Sequence, residues 1–326
     1  MDFLEELPEQ IFRDILLRVP YKSQQQIKQL LERAKEMMEC VQFYQDRIKF
    51  GLAEKYICFL EHAAISIYDP VDQSCIMRTH IPTGFRTLPD SQILCVKNKL
   101  ILVGLTSERK YTMETLIYDV LSGTWKQAAQ IPIGKRRFAC CATPEGSIYI
   151  AGGYAKYDNA GEPREAAVYK VDEDKWELLP QMVEEVGFCR GFFFEGMFYV
   201  IGSVCQRFDP STGVWSIVNM GRQSLWSIYN LFERLLAFSM NRIMQYDWEG
   251  NVWRELDPLP RVLWGQVYAT EWRDQIFLCG NDAPSIDHPT IFYMYKPGAP
   301  FFERWISLDK LKLVGRNVIY VATIEI

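Results

Sequence analysis

From Phe138 to Trp176 the chain alternates short apolar runs with polar punctuation. The runs are Phe138 to Ala142, Ser147 to Ala151 and Ala166 to Val171, with a fourth opening at Trp176; Pro144-Glu145-Gly146, a polar loop and Asp172-Glu173-Asp174-Lys175 divide them. Runs this short, rich in Ile, Tyr, Val and Phe and bounded by turn residues, are strand signals. Four of them in one segment predict a single twisted antiparallel sheet. Gly152 and Gly153 end the second run, where a backbone without a Cβ lets another approach closely. Tyr169 and Trp176 stand seven apart across the turn between strands three and four, a spacing that lets their rings pack together between neighbouring sheets.

The same grammar recurs along the chain. Tyr68 with Cys75, Tyr118 with Trp125, Phe208 with Trp215 and Tyr246 with Trp253 keep the spacing of seven, and Tyr295 with Trp305 stretches it to ten through Pro297-Gly298-Ala299-Pro300. Asp69, Asp119, Asp209 and Asp247 follow the aromatic residue. An aliphatic strand upstream of each pair ends on a small residue: Gly104, Gly152-Gly153, Gly202, Ser239 or Gly280. From Tyr68 to Tyr295 the chain runs 227 residues over five intervals, about 45 per repeat, a period of four-stranded propeller blades. These repeats resemble kelch repeats over about residues 54 to 326. Only the third has the full double glycine, and the first has Cys75 where a Trp is expected.

Six repeats predict an all-β, six-bladed propeller over residues 51–326. The first repeat starts at Tyr56-Ile57-Cys58-Phe59-Leu60 and lacks an innermost strand, while the terminal run Asn317 to Ile324 has no repeat of its own. The terminal strand is therefore expected to complete the first sheet, so that the ring closes and leaves only short blade edges.

Residues 1–50 have another periodicity. Leu7, Ile11, Ile15 and Leu16 recur at helical spacing, Pro8 suits a first turn and Val19-Pro20 ends the segment. After Tyr21-Lys22-Ser23, one second helix is predicted to carry Ile27, Leu30, Leu31, Ala34, Met37, Met38 and Val41. Helices this short leave apolar surface for the propeller or a partner. The run Leu7 to Pro20, with leucine-proline at its start and valine-proline at its end, resembles the opening of an F-box, and Phe43 to Arg47 resembles the segment that follows one. F-box and kelch in this order are similar to the plant F-box/kelch-repeat family. The resemblance implies that Leu7, Pro8, Ile11, Ile15, Leu16, Val19, Pro20, Leu30 and Leu31 dock on the Skp adaptor of a cullin-type ubiquitin ligase. It also implies that the propeller captures a target for ubiquitination, a metabolic enzyme or signalling regulator in several relatives. The second half departs from the pattern: no Trp precedes Trp125, and Gln24-Gln25-Gln26 with Glu32-Arg33 is unusually polar. The alternatives are a helical cap that recruits nothing and a kelch scaffold with a degenerate F-box, followed by a small-molecule enzyme or sensor.

Composition narrows the chemistry. The 326 residues are 48% hydrophobic and 14% aromatic, ample for a packed core with aromatic residues in every blade. A net charge of −5, well mixed, argues against general nucleic-acid affinity. Nine cysteines without paired spacing suggest reduced thiols in a cytoplasmic or nuclear protein. The acidic N-terminus and the lack of any long apolar run predict neither secretion nor a membrane span. Only His62, His80 and His288 are present, too few and too dispersed for a catalytic zinc or an oxidase-type copper site, and Asp282, Asp287 and His288 lack the spacing of the iron-binding run of nitrile-specifier proteins. Gly152-Gly153-Tyr154 is no phosphate loop. No cofactor, metal or catalytic residue is expected.

The candidate site is a ring. Loops from each outer strand to the next inner strand carry Arg86, Arg136, Arg137, Arg190, Arg222 with Trp226, Arg261 with Trp264, and Arg316. Guanidinium forks bind carboxylates and phosphates in bidentate fashion, and Arg and Trp dominate interface energetics. An acidic or phospho-acidic element of the target is the expected ligand; the alternative is that these arginines pair with carboxylates such as Glu184 and Glu185 and tie blades together. The loop Asp158 to Pro163 reads as a polar connection.

Overall fold

The apolar runs of blade three, Ala139–Ala142, Ser147–Ala151, Ala166–Lys170 and Lys175–Leu179, pair in chain order as one antiparallel sheet. The computed structural model describes residues 6–88, 90–107, 113–133, 135–155, 164–220, 227–239, 241–281, 290–308, 311 and 318–326. Tyr169 lies directly opposite Trp176 with ring centroids 4.9 Å apart. Tyr118 and Trp125 meet at 5.0 Å, Phe208 and Trp215 at 5.2 Å, and Tyr246 and Trp253 at 5.1 Å. Tyr295 and Trp305 still pair, at 4.7 Å, because the extra residues are absorbed in the turn. Tyr68 faces Cys75 in the position that Trp holds elsewhere.

Four of these tryptophans also tie their blade to the preceding one. The Trp176 indole donates to Ala129 O (3.1 Å), Trp215 to Pro180 O (2.8 Å) and Trp253 to Met220 O (3.1 Å), all just beyond the outer strand of the blade before. Trp125 reaches Thr79 Oγ1 in blade one at 3.2 Å. Ring pairing and the indole hydrogen bond each contribute about 0.5–1.5 kcal/mol. The repeated aromatic spacing thus encodes contact between blades.

The Asp after the aromatic shapes the following turn. Asp119 Oδ1 accepts from the N–H groups of Leu121 and Ser122, each at 3.0 Å, and Asp69, Asp209 and Asp247 do the same in their blades. Blade three has Lys170 there, and Asp174 takes over: it accepts from Tyr169 Oη (2.6 Å), Ala129 N (2.8 Å) and Lys126 Nζ (2.6 Å). Burial alone would raise its carboxyl, but these three donors outweigh burial and hold it at about 2. A depressed carboxylate stabilises the fold fully above its unfolded value and ceases to do so as pH falls through the folded one. Asp174→Asn is therefore expected to cost on the order of 2 kcal/mol at pH 7. The gap between its melting curve and that of the native chain should close between about pH 4 and pH 2; equal melting at pH 7 would contradict this.

Six such sheets surround a channel. Their inner strands are Val318–Glu325, Gln92–Val96, Ala139–Ala142, Arg190–Phe194, Ser227–Leu231 and Trp264–Trp272, each in contact with the next around the ring. Blade one is Lys55–Glu61, Ala64–Asp69 and Ser74–His80 completed by Val318–Glu325 from the far end of the chain. His80 belongs to the outer strand of that blade. Gly152 and Gly153 both have positive φ, and a Cβ on them would lie 2.6 Å from Val186 O and 2.5 Å from Arg136 O. Loops of two adjacent blades meet there.

The N-terminal segment contains α1 (Glu9–Leu17), α2 (Tyr21–Leu30), α3 (Glu32–Met38) and α4 (Val41–Lys49). The single second helix expected from the apolar periodicity is broken twice. Leu31 is extended (φ −135°, ψ 108°), and its carbonyl accepts the first N–H groups of α3. The break lets Leu31 join Phe12, Leu16, Leu17, Ala34, Met38 and Phe43 in a small helical core, while Leu30 faces outward. Tyr21 and Tyr44 instead enter the core between blades one and two. Tyr21 Oη donates to Val120 O (3.2 Å), Lys28 Nζ donates to Leu121 O (2.6 Å), and Glu54 exchanges backbone hydrogen bonds of 2.7 and 2.9 Å with Ile326. The helices are thus fixed to the end of the propeller formed by its tight turns.

Candidate functional site

Every inner strand runs from the crossover end to the hairpin end, where in blades two to six a tight turn leads to the second strand and in blade one Ile326 meets Glu54. Among the described residues, Arg86, Arg136, Arg137, Arg190 and Arg261 lie at the crossover end. Arg136 and Arg137 both reach Asp90, at 3.1 and 3.5 Å, so the carboxylate that ties them is this one and not Glu184 or Glu185. The Arg137 guanidinium lies 3.8 Å from the centroid of Phe188, whose ring meets Tyr154 edge-on at 5.8 Å. Arg137 and Phe188 both have positive φ, and Cys189 N donates to Arg137 O (3.1 Å). Phe188 and Tyr154 remain exposed. The result is a cationic and aromatic patch whose positive charge only partly meets a carboxylate.

The other members of the ring are spread out. Arg86 lies in a two-residue strand beside Thr106 and is exposed. Arg261 is exposed, and Trp264, 37% exposed, starts the inner strand of blade six opposite Asn281. Arg190 is half-buried at the start of the inner strand of blade four and bonds to Gln266 of blade six. Arg222, Trp226, Arg316, Asp282, Asp287, His288 and the loop Asp158 to Pro163 lie outside the described residues. Among the described residues no group of three or more His, Cys, Asp or Glu is arranged to hold a metal ion.

At the hairpin end the channel widens into a cavity of about 790 Å³ lined by Cys95, Cys140, Cys141, Phe193, Tyr229 and Tyr320, with Glu145, Glu195 and Glu233 at its rim. Burial pushes the thiols of Cys140 and Cys141 well up, so they are protonated at neutral pH and weak as nucleophiles.

The residues implied for adaptor docking divide into two sets. Ile11 (50% exposed), Ile15 (42%) and Leu30 (62%) point to solvent, with Pro8 and Pro20 also exposed. Leu16 and Leu31 are buried in the helical core, and Leu7 and Val19 pack against it half-buried. An amphipathic helix nine residues long must place one apolar stripe inward, and Phe12, Leu16 and Leu17 form that stripe in α1. Leu16 and Leu31 therefore support the docking face from beneath.

No protein-family profile matches the chain. F-box/kelch-repeat protein At1g15670 of Arabidopsis thaliana is 26% identical over 254 residues, which span 66% of this chain and 69% of the relative. F-box/kelch-repeat protein At1g80440 of the same plant is 26% identical over 250 residues with the same coverage. The chain is a homologue of the plant F-box/kelch-repeat proteins. Kelch-like protein 23 of Homo sapiens is 25% identical over 213 residues, 60% of this chain and 37% of that protein. The solved structure of YjhT matches with a TM-score of 0.50 at 14% identity, covering 67% of this chain and 82% of that one, a likeness of fold.

The sequence alone did not single out Asp90, Phe188 or Tyr154 as members of the site. A signal for Phe188 was present, since it precedes Arg190 by two residues in the same crossover position that holds Arg261 and Trp264 before blade six. Asp90 had none, because pairing between successive crossover loops is a product of the ring.

Proposed function

We propose that the chain is the substrate receptor of a Skp-cullin-F-box ubiquitin ligase, with the N-terminal helices recruiting the adaptor and the crossover mouth capturing a target protein. The observation that carries this reading is the separation of two exposed surfaces on one body. Ile11, Ile15 and Leu30 form apolar surface on helices docked at the hairpin end, and Arg137 on Phe188 presents charge and aromatic area at the crossover end. A receptor needs two such surfaces free at once. The names of the relatives support the pairing of F-box and kelch. In this reading the chain catalyses nothing, and its buried thiols suit a cytoplasmic or nuclear setting.

The second reading is a kelch scaffold that recruits no ligase, favoured by the use of Tyr21, Tyr44 and Lys28 to fasten the helices to blades one and two. Capture of the purified full-length chain by an immobilised Skp adaptor separates the two. The receptor reading expects saturable binding that survives moderate salt, as an apolar interface should. Absence of binding overturns it in favour of the scaffold.

A further inference from the structure

Arg190 begins the inner strand of blade four, yet its Nη2 donates to Gln266 Oε1 on the inner strand of blade six. The contact passes over blade five, so the side chain lies across the channel and not along the crossover loops. Its Nε is buried without a hydrogen-bond partner. Tyr229, from blade five, donates to Val267 O (3.0 Å), and the rings of Tyr268 and Tyr320, from blades six and one, lie 5.6 Å apart. Burial pushes all three phenols up, and the Arg190 charge partly opposes that. Four inner strands thus bring a guanidinium, an amide and three phenols to one part of the channel.

What this group lacks is an anion. Among the described residues no carboxylate pairs with Arg190, and Asp90, whose charge reaches Tyr268, is held by Arg136 and Arg137. A guanidinium enclosed with an unused N–H is unfavourable until an acceptor meets it. The hydroxyls of Tyr268 and Tyr320 have no hydrogen-bond partner among the described residues. The rim glutamates Glu145, Glu195 and Glu233 stand at the far mouth, so the potential draws an anion in from the crossover side.

We propose that Arg190, Tyr268 and Tyr320, with Gln266 fixing the guanidinium, form a binding site in the channel for one oxyanion group, a carboxylate or phosphate on a narrow stem. The Arg190 Nε–H and the two phenol hydroxyls donate to its oxygens. The site requires no role for the N-terminal helices, so it stands or fails independently of the receptor reading.

Calorimetric titration of the full-length chain with inorganic phosphate and, separately, with glutarate tests it. Saturable binding of at least one probe is expected; preference for phosphate identifies a phosphate-bearing ligand, and preference for glutarate identifies the tip of an acidic side chain. Arg190→Gln should weaken binding tenfold or more, Arg190→Lys should fall between it and the native chain because the planar fork is lost while the charge stays, and Tyr320→Phe should weaken it several-fold with unchanged melting. Arg207→Gln, on the exposed outer part of blade four, should change nothing. No saturable binding of either probe, or equal binding by natively folded Arg190→Gln and Tyr320→Phe, overturns the proposal.

Discussion

Ile11→Asp combined with Ile15→Asp should abolish capture by a Skp adaptor while leaving the melting temperature of the chain almost unchanged. Both side chains are about half exposed, on the face of α1 turned away from Phe12, Leu16 and Leu17, so replacing them removes little native packing and surface substitutions of this kind shift stability by about 0.5 kcal/mol or less. At an interface the same positions would be desolvated, and an apolar anchor there is worth about 2 kcal/mol or more. Two anchors replaced by carboxylates that must be buried unpaired imply a loss of at least about a hundredfold in affinity. Leu16→Asp provides the contrast. Leu16 is buried among the helices, so its loss of binding should accompany a loss of helical order. If the Ile11 and Ile15 double variant binds as well as the native chain, the docking face lies elsewhere and the receptor reading loses its main support.

The propeller was legible because its determinants are local and repeated. Tyr169 and Trp176 sit opposite one another across a two-strand turn, so a spacing of seven reports a contact directly, and four further pairs at that spacing, with Tyr295 and Trp305 at ten, confirm the phase. The closure by Val318–Glu325 followed from counting strands. The helices were less legible. An apolar residue at every third or fourth position from Ile27 to Val41 fits one helix, and nothing in the side chains of Leu30 or Leu31 marks a break; the extended conformation of Leu31 is fixed by the core it enters. The ring of arginines was legible only as a list. Which of them share a carboxylate, which stack on an aromatic ring and which cross the channel depends on loop geometry that brings Asp90 beside Arg136 and Phe188 beside Arg137. Local spacing cannot report contacts between residues some fifty positions apart.

Arg47→Met is expected to be among the most destabilising single changes in the chain, and to act on the helices before the blades. The Arg47 side chain is 3% exposed and bonds to four acceptors: Nη1 to Leu17 O (2.6 Å) and Val19 O (2.7 Å), Nη2 to Leu52 O (2.9 Å) and Glu54 Oε2 (3.3 Å). Leu17 and Val19 lie at the end of α1, where carbonyls have no helical partner, so this guanidinium caps α1 from α4. Glu54 extends the link, because its carboxylate also accepts from Tyr21 N (2.7 Å) while its backbone pairs with Ile326 beside the closing strand. Methionine keeps much of the stem volume but removes the guanidinium from Leu17 O and Leu52 O and leaves Val19 O with Gln24 Nε2 and Glu54 with Tyr21 N as remaining donors, a change worth about 3–5 kcal/mol. Hydrogen exchange should locate the effect: amides of α1 and α4 lose protection while those of the inner strands keep theirs. Adaptor capture should fall with it although Ile11 and Ile15 are intact, since a loosened α1 no longer presents them on a rigid face. Native-like exchange in α1 would mean that the helical core of Phe12, Leu16 and Met38 suffices to hold the segment, and that the guanidinium network contributes no net order.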